Sequence, residues 1–238
     1  MSTTLEGHIA RAFDGALMSL HVQVIEMGGL VLDQVREAAR AYTQWSSESG
    51  ERVVGREPRV NAYEAKLNEE QITLIARRQP VASDLRAIIA MSRAVAELER
   101  AGDEAKKIAR AVLFHAGPPG PATARDALHL AQLATDLLRL SLEAFDRLDP
   151  ELATEVIAHD RELDAEYGAG LRRLLTRAME DPHHFDVALE AAFVLKSLER
   201  IGDHARNVSR HLLSMASANT AQVAEPSAAA TPRPAADR

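Results

Sequence analysis

The 238-residue chain contains no cysteine, which excludes disulfides, thiolate metal sites and cysteine nucleophiles. Aromatic residues make up only 4% of it, so its 46% hydrophobic content rests on Leu, Ile, Val, Ala and Met. That mixture suits helices, whereas strands draw on aromatic and β-branched side chains. Turn formers are scarce, with Gly 12 and Pro 10, several of them gathered in one short linker or the C-terminal region. A sheet protein would spread turn signals along its length. Positive charge is nowhere concentrated: 28 Lys and Arg face 35 Asp and Glu, for a net charge of −7, so nucleic acid is not an expected partner. The N-terminal stretch from Met1 to His8 lacks the basic-then-apolar order of a signal peptide. No apolar run approaches the roughly 20 residues that span a bilayer. The expected location is the cytoplasm.

What is present is helical and doubled. The strongest punctuation is Gly117-Pro-Pro-Gly-Pro121, which no helix crosses because Pro removes backbone donors and Gly adds freedom. It divides the chain into a first bundle at 1–116, a linker at 117–121 and a second bundle at 122–216. Residues 217–238, rich in Ala, Ser, Thr and Pro, cannot build a packed core and are expected to be a disordered tail. Leu98-Glu-Arg-Ala-Gly-Asp-Glu-Ala-Lys-Lys-Ile-Ala-Arg110 returns as Leu198-Glu-Arg-Ile-Gly-Asp-His-Ala-Arg-Asn-Val-Ser-Arg210, with seven identities in thirteen positions at an offset of 100. This is an internal repeat. Each half reads as three helices, at 4–46, 48–78 and 82–115, then 122–148, 150–180 and 184–216. Pro80 and Pro182 mark equivalent breaks. Ser83 is the expected N-cap of the third helix, with Asp84 near its positive end, and Asp149-Pro150 suits a helix start. Short connections make neighbours antiparallel, so the expected fold is all-α, two tandem pseudo-symmetric three-helix bundles.

The repeated motif carries chemistry. At 100° per residue, Leu85, Ile88, Ile89, Ser92 and Ala96 form one stripe of the third helix, read as its core face, and Glu99 and Asp103 continue it. Phe185, Ala188, Leu189 and Ala192 lead in the same way to Glu199 and Asp203. Carboxylates on such a seam are costly unless paired or bound to a cation. The second helices carry matching pairs, Glu57/Asn61 and Asp160/Asp164, again at i, i+4. Counting from the breaks brings them level: Asn61 lies 19 residues before Pro80 and Glu99 lies 19 after it, while Asp160 lies 22 before Pro182 and Asp203 lies 21 after it. Each hairpin thus gathers a candidate four-ligand site about 28 Å from its turn. Such an oxygen-rich set favours hard cations, magnesium, calcium, manganese or ferric iron. His159 and His204 flank the second set and could add imidazole there. The alternative reading is surface charge paired with Arg100 or Arg200. His183-His184 reads as loop surface, Gly28-Gly29 as close helix packing or a kink, Trp45 as a packing anchor, and Arg77-Arg78 as cations suited to a helix C-terminus.

The repeated Leu-Glu-Arg-x-Gly-Asp resembles the PhoU family, accessory regulators of bacterial phosphate-specific transport. Met27-Gly-Gly-Leu30, the stretch Ile75-Ala-Arg-Arg-Gln-Pro-Val-Ala-Ser-Asp-Leu-Arg86 and Asp160-Arg-Glu-Leu-Asp164 extend the resemblance over about residues 5–215. It implies a homodimer of tandem three-helix bundles. It also implies metal binding through E/D-x-x-x-D pairs, which map onto Glu99/Asp103, Asp160/Asp164 and Glu199/Asp203. Iron, manganese, magnesium and zinc are the candidate ions. Glu57/Asn61 departs from the pattern, because an amide can coordinate but carries no charge, so the second-half site is expected to hold metal more firmly. The implied role is a non-enzymatic, negative regulator of phosphate-regulon signalling and phosphate homeostasis, coupling the ATPase subunit of the phosphate ABC transporter to a phosphate sensor histidine kinase. The alternative is a carboxylate-bound metalloenzyme, against which stands the lack of a helical Glu-x-x-His pair.

Overall fold

A computed structural model describes residues 2–80, 82–114, 117–181, 183 and 185–223, with side chains described for 13–80, 83–114, 117–181, 183 and 185–216. Among these it holds six helices: α1 Ser2–Gln44, α2 Ser47–Arg78, α3 Ala82–Phe114, α4 Pro121–Arg147, α5 Pro150–Glu180 and α6 Phe185–Val223. The fold class and the tandem repeat match the expectation. α6 runs on to Val223, past the expected end at 216. Pro182, His184 and residues 224–238 lie outside the described residues.

The first turn of each half is built the same way. α1 ends at Trp45 in the left-handed region (φ 50) and α4 ends at Leu148 (φ 53). The following residue reaches back to close the helix: Ser46 N–H donates to Ala41 O and Asp149 N–H to Ala144 O, both at 2.9 Å. The same residue then caps the next helix. The Ser46 hydroxyl accepts from Ser49 N–H, and the Asp149 carboxylate accepts from Glu151 and Leu152 N–H. One position therefore ends one helix and starts the next, which forces the antiparallel hairpin. Trp45 packs against the core and lies edge-on to Tyr42 at 6.0 Å, the anchor its place at a helix end suggests. Ser83 does not cap α3. It sits within the first turn, and its hydroxyl donates to Asp84 at 3.5 Å.

The two bundles are fused through a ring of four helices. α1 packs on α3, α3 on α6, α6 on α4 and α4 on α1, with the α3–α6 contact the most extensive; α2 and α5 flank the ring on opposite halves. One apolar cluster runs through both halves, from Val24, Met27 and Val31 through Leu98 and Ile108 to Leu138, Phe145, Leu198 and Leu212. Its many alanines (Ala38, Ala94, Ala101, Ala105, Ala134, Ala144, Ala205) are fully buried and let the helices approach closely. The linker at 117–121 thus separates two repeats that share a core. Gly28 belongs to the same close packing: a Cβ there would overlap Leu142 on α4. A stretch within α1, Phe13–Gln44, is long and apolar enough by composition to cross a bilayer, contrary to the expectation of none, and its most apolar 18-residue window is 39% buried inside the protein. Its buried positions, among them Leu20, Val24, Met27, Val31 and Val35, are part of the common core.

The phase expected for the third helices is corrected by this ring. Ile88 is buried, but Ile89, Phe185 and Leu189 are exposed, and the buried faces run instead through Met91, Ala94, Val95 and Leu98, and through Ala191, Val194, Leu195 and Leu198. α3 touches α1, α2 and α6, and α6 touches α3, α4 and α5. A helix with three neighbours has no single apolar stripe, so a one-face count picks the wrong side.

The motif glycines differ in their surroundings. A Cβ at Gly202 would overlap Leu163, which is 1% exposed, whereas a Cβ at Gly102 would meet nothing nearer than Gln34 Oε1 at 3.5 Å. Replacing glycine by alanine inside a helix gains about 1 kcal/mol of propensity, and overpacking a core costs roughly 1–3 kcal/mol. Gly102→Ala is therefore expected to raise the melting temperature and Gly202→Ala to lower it. Calorimetric melts of the two variants check the difference, and equal shifts of one sign would contradict it.

Candidate functional site in the two acidic seams

In the second half, Asp160 on α5 and Asp203 on α6 come level and converge on one guanidinium: Arg206 donates through Nη1 to Asp160 and through Nη2 to Asp203 at 2.6 Å. Glu199 lies on the same helix but turns to Lys196, whose Nζ is 2.6 Å away and sits 5.4 Å over the Tyr167 ring. Asp164 is exposed at the edge of the seam. In the first half, Glu57 on α2 accepts from Lys106 Nζ at 2.5 Å and from Asn61 Nδ2 at 3.0 Å. Asn61 is itself exposed and presents its amide nitrogen, not its oxygen, to Glu57. Glu99 and Asp103 sit half-buried on α3.

The electrostatics follow from these partners. The hydrogen bond from Lys106 holds the Glu57 carboxyl below the ordinary carboxylate range. Burial pushes Glu99 up, and the negative charges of Asp103, Glu64 and Glu57 add to it against Arg100. Burial also pushes Asp160 up; its bond to Arg206 opposes this, while Asp164 and Asp203 reinforce it. Both seams are strongly acidic, partly dehydrated and already bridged by basic side chains.

A hard cation needs several oxygens converging at about 2.0–2.6 Å. The oxygens here converge on nitrogen instead. Among the described residues no three Asp, Glu or His side chains are grouped so as to hold a metal ion as they stand. Asp160 and Asp203 are brought to one cation, whereas Asn61 and Asp164 are exposed and Glu199 turns to Lys196, and as placed this donor set does not fit a metal.

His204 does not join the second-half set. It faces α3, where its Nδ1 lies 2.8 Å from Glu97 Oε2, and both side chains are about 9% exposed. Because a carboxylate only accepts, Nδ1 carries the hydrogen. Asn207 Nδ2 also donates to Glu97 Oε2 at 3.1 Å and Arg100 to Oε1 at 3.0 Å. Beside them, the buried Glu104 accepts from Arg200 at 2.9 Å and from Lys107 at 2.8 Å. This polar layer between α3 and α6 ties the two repeats together. Sequence reasoning missed it. Glu97 and Glu104 precede and follow the conspicuous motif, and only the α3–α6 contact reveals their face. A usable signal existed in Glu97 and Glu104 bracketing Glu99 and Asp103 while lying about 130° round the helix from them at 3.6 residues per turn.

Comparison with known proteins gives one consistent result. The model of the PhoU domain matches residues 24–112 and 127–212. The phosphate-specific transport system accessory protein PhoU homolog of Pseudomonas putida is 40% identical over 207 residues, covering 87% of this chain and 81% of that protein. The PhoU of Escherichia coli is 36% identical over 207 residues, covering 87% and 86%. The crystal structure of PhoU from Pseudomonas aeruginosa superposes with a TM-score of 0.82 at 37% identity, covering 87% of this chain and 99% of that one.

The layer between the repeats makes a measurable demand. Burial raises the Glu97 carboxyl, but the hydrogen bonds from His204 and Asn207 outweigh it and hold the group below its ordinary 4.5. A depressed carboxylate stabilises the fold in full above the unfolded value and loses that contribution as pH falls through the folded one. Glu97→Ala removes one partner of a buried pair and is expected to cost about 3 kcal/mol at neutral pH. Urea unfolding from pH 7 down to pH 3 should show the gap between wild type and variant closing below about 4.5; a gap that stays constant would refute the assignment.

Proposed function

The chain belongs to the PhoU family, and from that premise we propose that it is an accessory regulator of phosphate uptake that acts by docking, not by catalysis. Its relatives are named accessory proteins of the phosphate-specific transport system, and the PhoU model covers both repeats; that double match carries the reading. In this proposal the protein works on the cytoplasmic side as a homodimer. It binds the ATPase subunit of the phosphate transporter and a phosphate sensor histidine kinase, and restrains the phosphate regulon when phosphate is plentiful.

A surface feature supports action by docking. Phe185, Leu189 and Phe193 lie at i, i+4, i+8 on the outer face of α6, all strongly exposed. Asp186 and Glu190 stand beside them, and Tyr42, Trp45 and Phe114 line the adjoining hollow. Large apolar side chains grouped on one exposed helix face mark an interaction site. Aromatic side chains supply most of the energy in such contacts.

Two experiments test the reading. Deleting the gene should raise expression of phosphate-starvation genes in phosphate-rich medium, and unchanged expression removes the regulatory role. A Phe185→Ser/Phe193→Ser variant should keep the wild-type melting temperature, because both side chains are exposed, yet capture at least tenfold less of the transporter ATPase in a pull-down, a loss of about 1.4 kcal/mol. Undiminished capture would move the docking surface elsewhere.

A further inference from the structure

We infer that Lys106 and Arg206 are built-in counter-ions that take the place of a metal in the two acidic seams, so that each hairpin of this chain is closed by its own side chains. The inference rests on geometry and on the repeat, and stands apart from the regulatory reading.

The two cations occupy the same place in the repeat. Each lies three residues after the motif aspartate, Lys106 after Asp103 and Arg206 after Asp203. Each reaches from the third helix of its half to an acidic residue on the second: Lys106 to Glu57 and Arg206 to Asp160. One is a Lys and the other an Arg, so the shared property is positive charge and reach. Both are sheltered, with only 16% and 20% of their side chains exposed. Arg206 Nε and the second Asp160 oxygen are both buried in the seam, so the guanidinium is inserted between the helices and does not lie on the surface.

The unequal ligand sets of the two halves support the same conclusion. The second half has Asp164 where the first has Asn61. It also has Lys196, paired with Glu199, at the repeat position where the first half has Ala96. The extra carboxylate comes with an extra internal cation. A divalent ion entering either seam would have to displace the ammonium or the guanidinium from the oxygens it needs, or stand beside a like charge in a partly dehydrated space. Of the carboxylates left outside these pairs, Asp164 lies toward water, while Glu99 and Asp103 stay half-buried beside the Lys106–Glu57 pair.

The test uses the full chain and manganese as the probe. Wild-type protein, Lys106→Met and Arg206→Met are melted in EDTA and in millimolar Mn2+, and titrated with Mn2+ calorimetrically. The wild type is expected to melt within a degree or so in both conditions and to show no stoichiometric Mn2+ binding. Each variant is expected to melt lower in EDTA and to regain about 5 °C or more in Mn2+, a shift that corresponds to a substantial binding linkage in a chain of this size. Arg206→Lys, which keeps the charge, should stay insensitive to Mn2+ and covers the case in which Arg206→Met does not fold. Stoichiometric Mn2+ in the wild type, a large loss of its melting temperature in EDTA, or variants that Mn2+ does not rescue would each overturn the inference.

Discussion

Carboxylates held between helices are costly unless positive charge reaches them, and this condition organises most of the acidic positions of the molecule. The acidic groups of α3 and α6 face two different directions, toward α2 or α5 and toward the other repeat. Toward the flanking helices, Glu57 meets Lys106, and Asp160 and Asp203 share Arg206. Toward the other repeat, Glu97 meets His204 and Arg100, and Glu104 meets Arg200 and Lys107. Removing any one partner leaves a charge in a seam of low dielectric, which costs more than the intact pair contributes. These pairs therefore set register and specificity more than net stability. The stability itself comes from the alanine- and leucine-rich core beneath them.

That division explains why the two repeats form one body. The α3–α6 contact joins two helices that carry buried apolar residues, among them Leu98, Ala101, Leu198 and Ile201, and it is ionic where Glu97 meets His204 and Glu104 meets Arg200. Ala and Leu alone would let two helices slide or rotate past each other. A buried carboxylate with a single correctly placed donor does not permit that, because every shift leaves it unsatisfied. The ionic layer fixes one arrangement of a packing that is otherwise permissive.

Much of this was legible in the sequence, for identifiable reasons. The six helices follow from composition, from the linker at 117–121 and from Asp149-Pro150, because caps and breakers act locally. The pairing of Asp160 with Asp203 follows from counting back to a turn, since antiparallel helices rise equally. Three things were not legible. The buried phase of α3 and α6 was misjudged at Ile89, Phe185 and Leu189, because three-sided burial erases the single stripe that a periodicity count seeks. The Glu97–His204 layer was hidden because it depends on a contact between residues 107 apart in the chain. The roles of Lys106 and Arg206 were overlooked because basic residues beside an acidic motif look like ordinary surface charge until the helix face is known. The motif itself was visible, while its counter-ions were not.

The internal repeat offers a control that a single-copy protein lacks. Positions that stay alike in both halves, Glu99/Glu199, Gly102/Gly202, Asp103/Asp203 and the cation at Lys106/Arg206, answer a need common to each three-helix bundle. Some positions that differ answer to something outside it. Glu104 and His204 are equivalent in sequence, yet one is a carboxylate held by Arg200 and the other an imidazole bound to Glu97. A carboxylate at position 204 would face Glu97 across the pseudo-symmetric α3–α6 contact, and the two would repel each other. Replacing one of them by a group that donates to a carboxylate removes that repulsion and makes the interface directional. The asymmetry of the repeats is therefore a consequence of joining them: a duplicated acidic helix packs against its own copy only if one of the two gives up part of its negative charge.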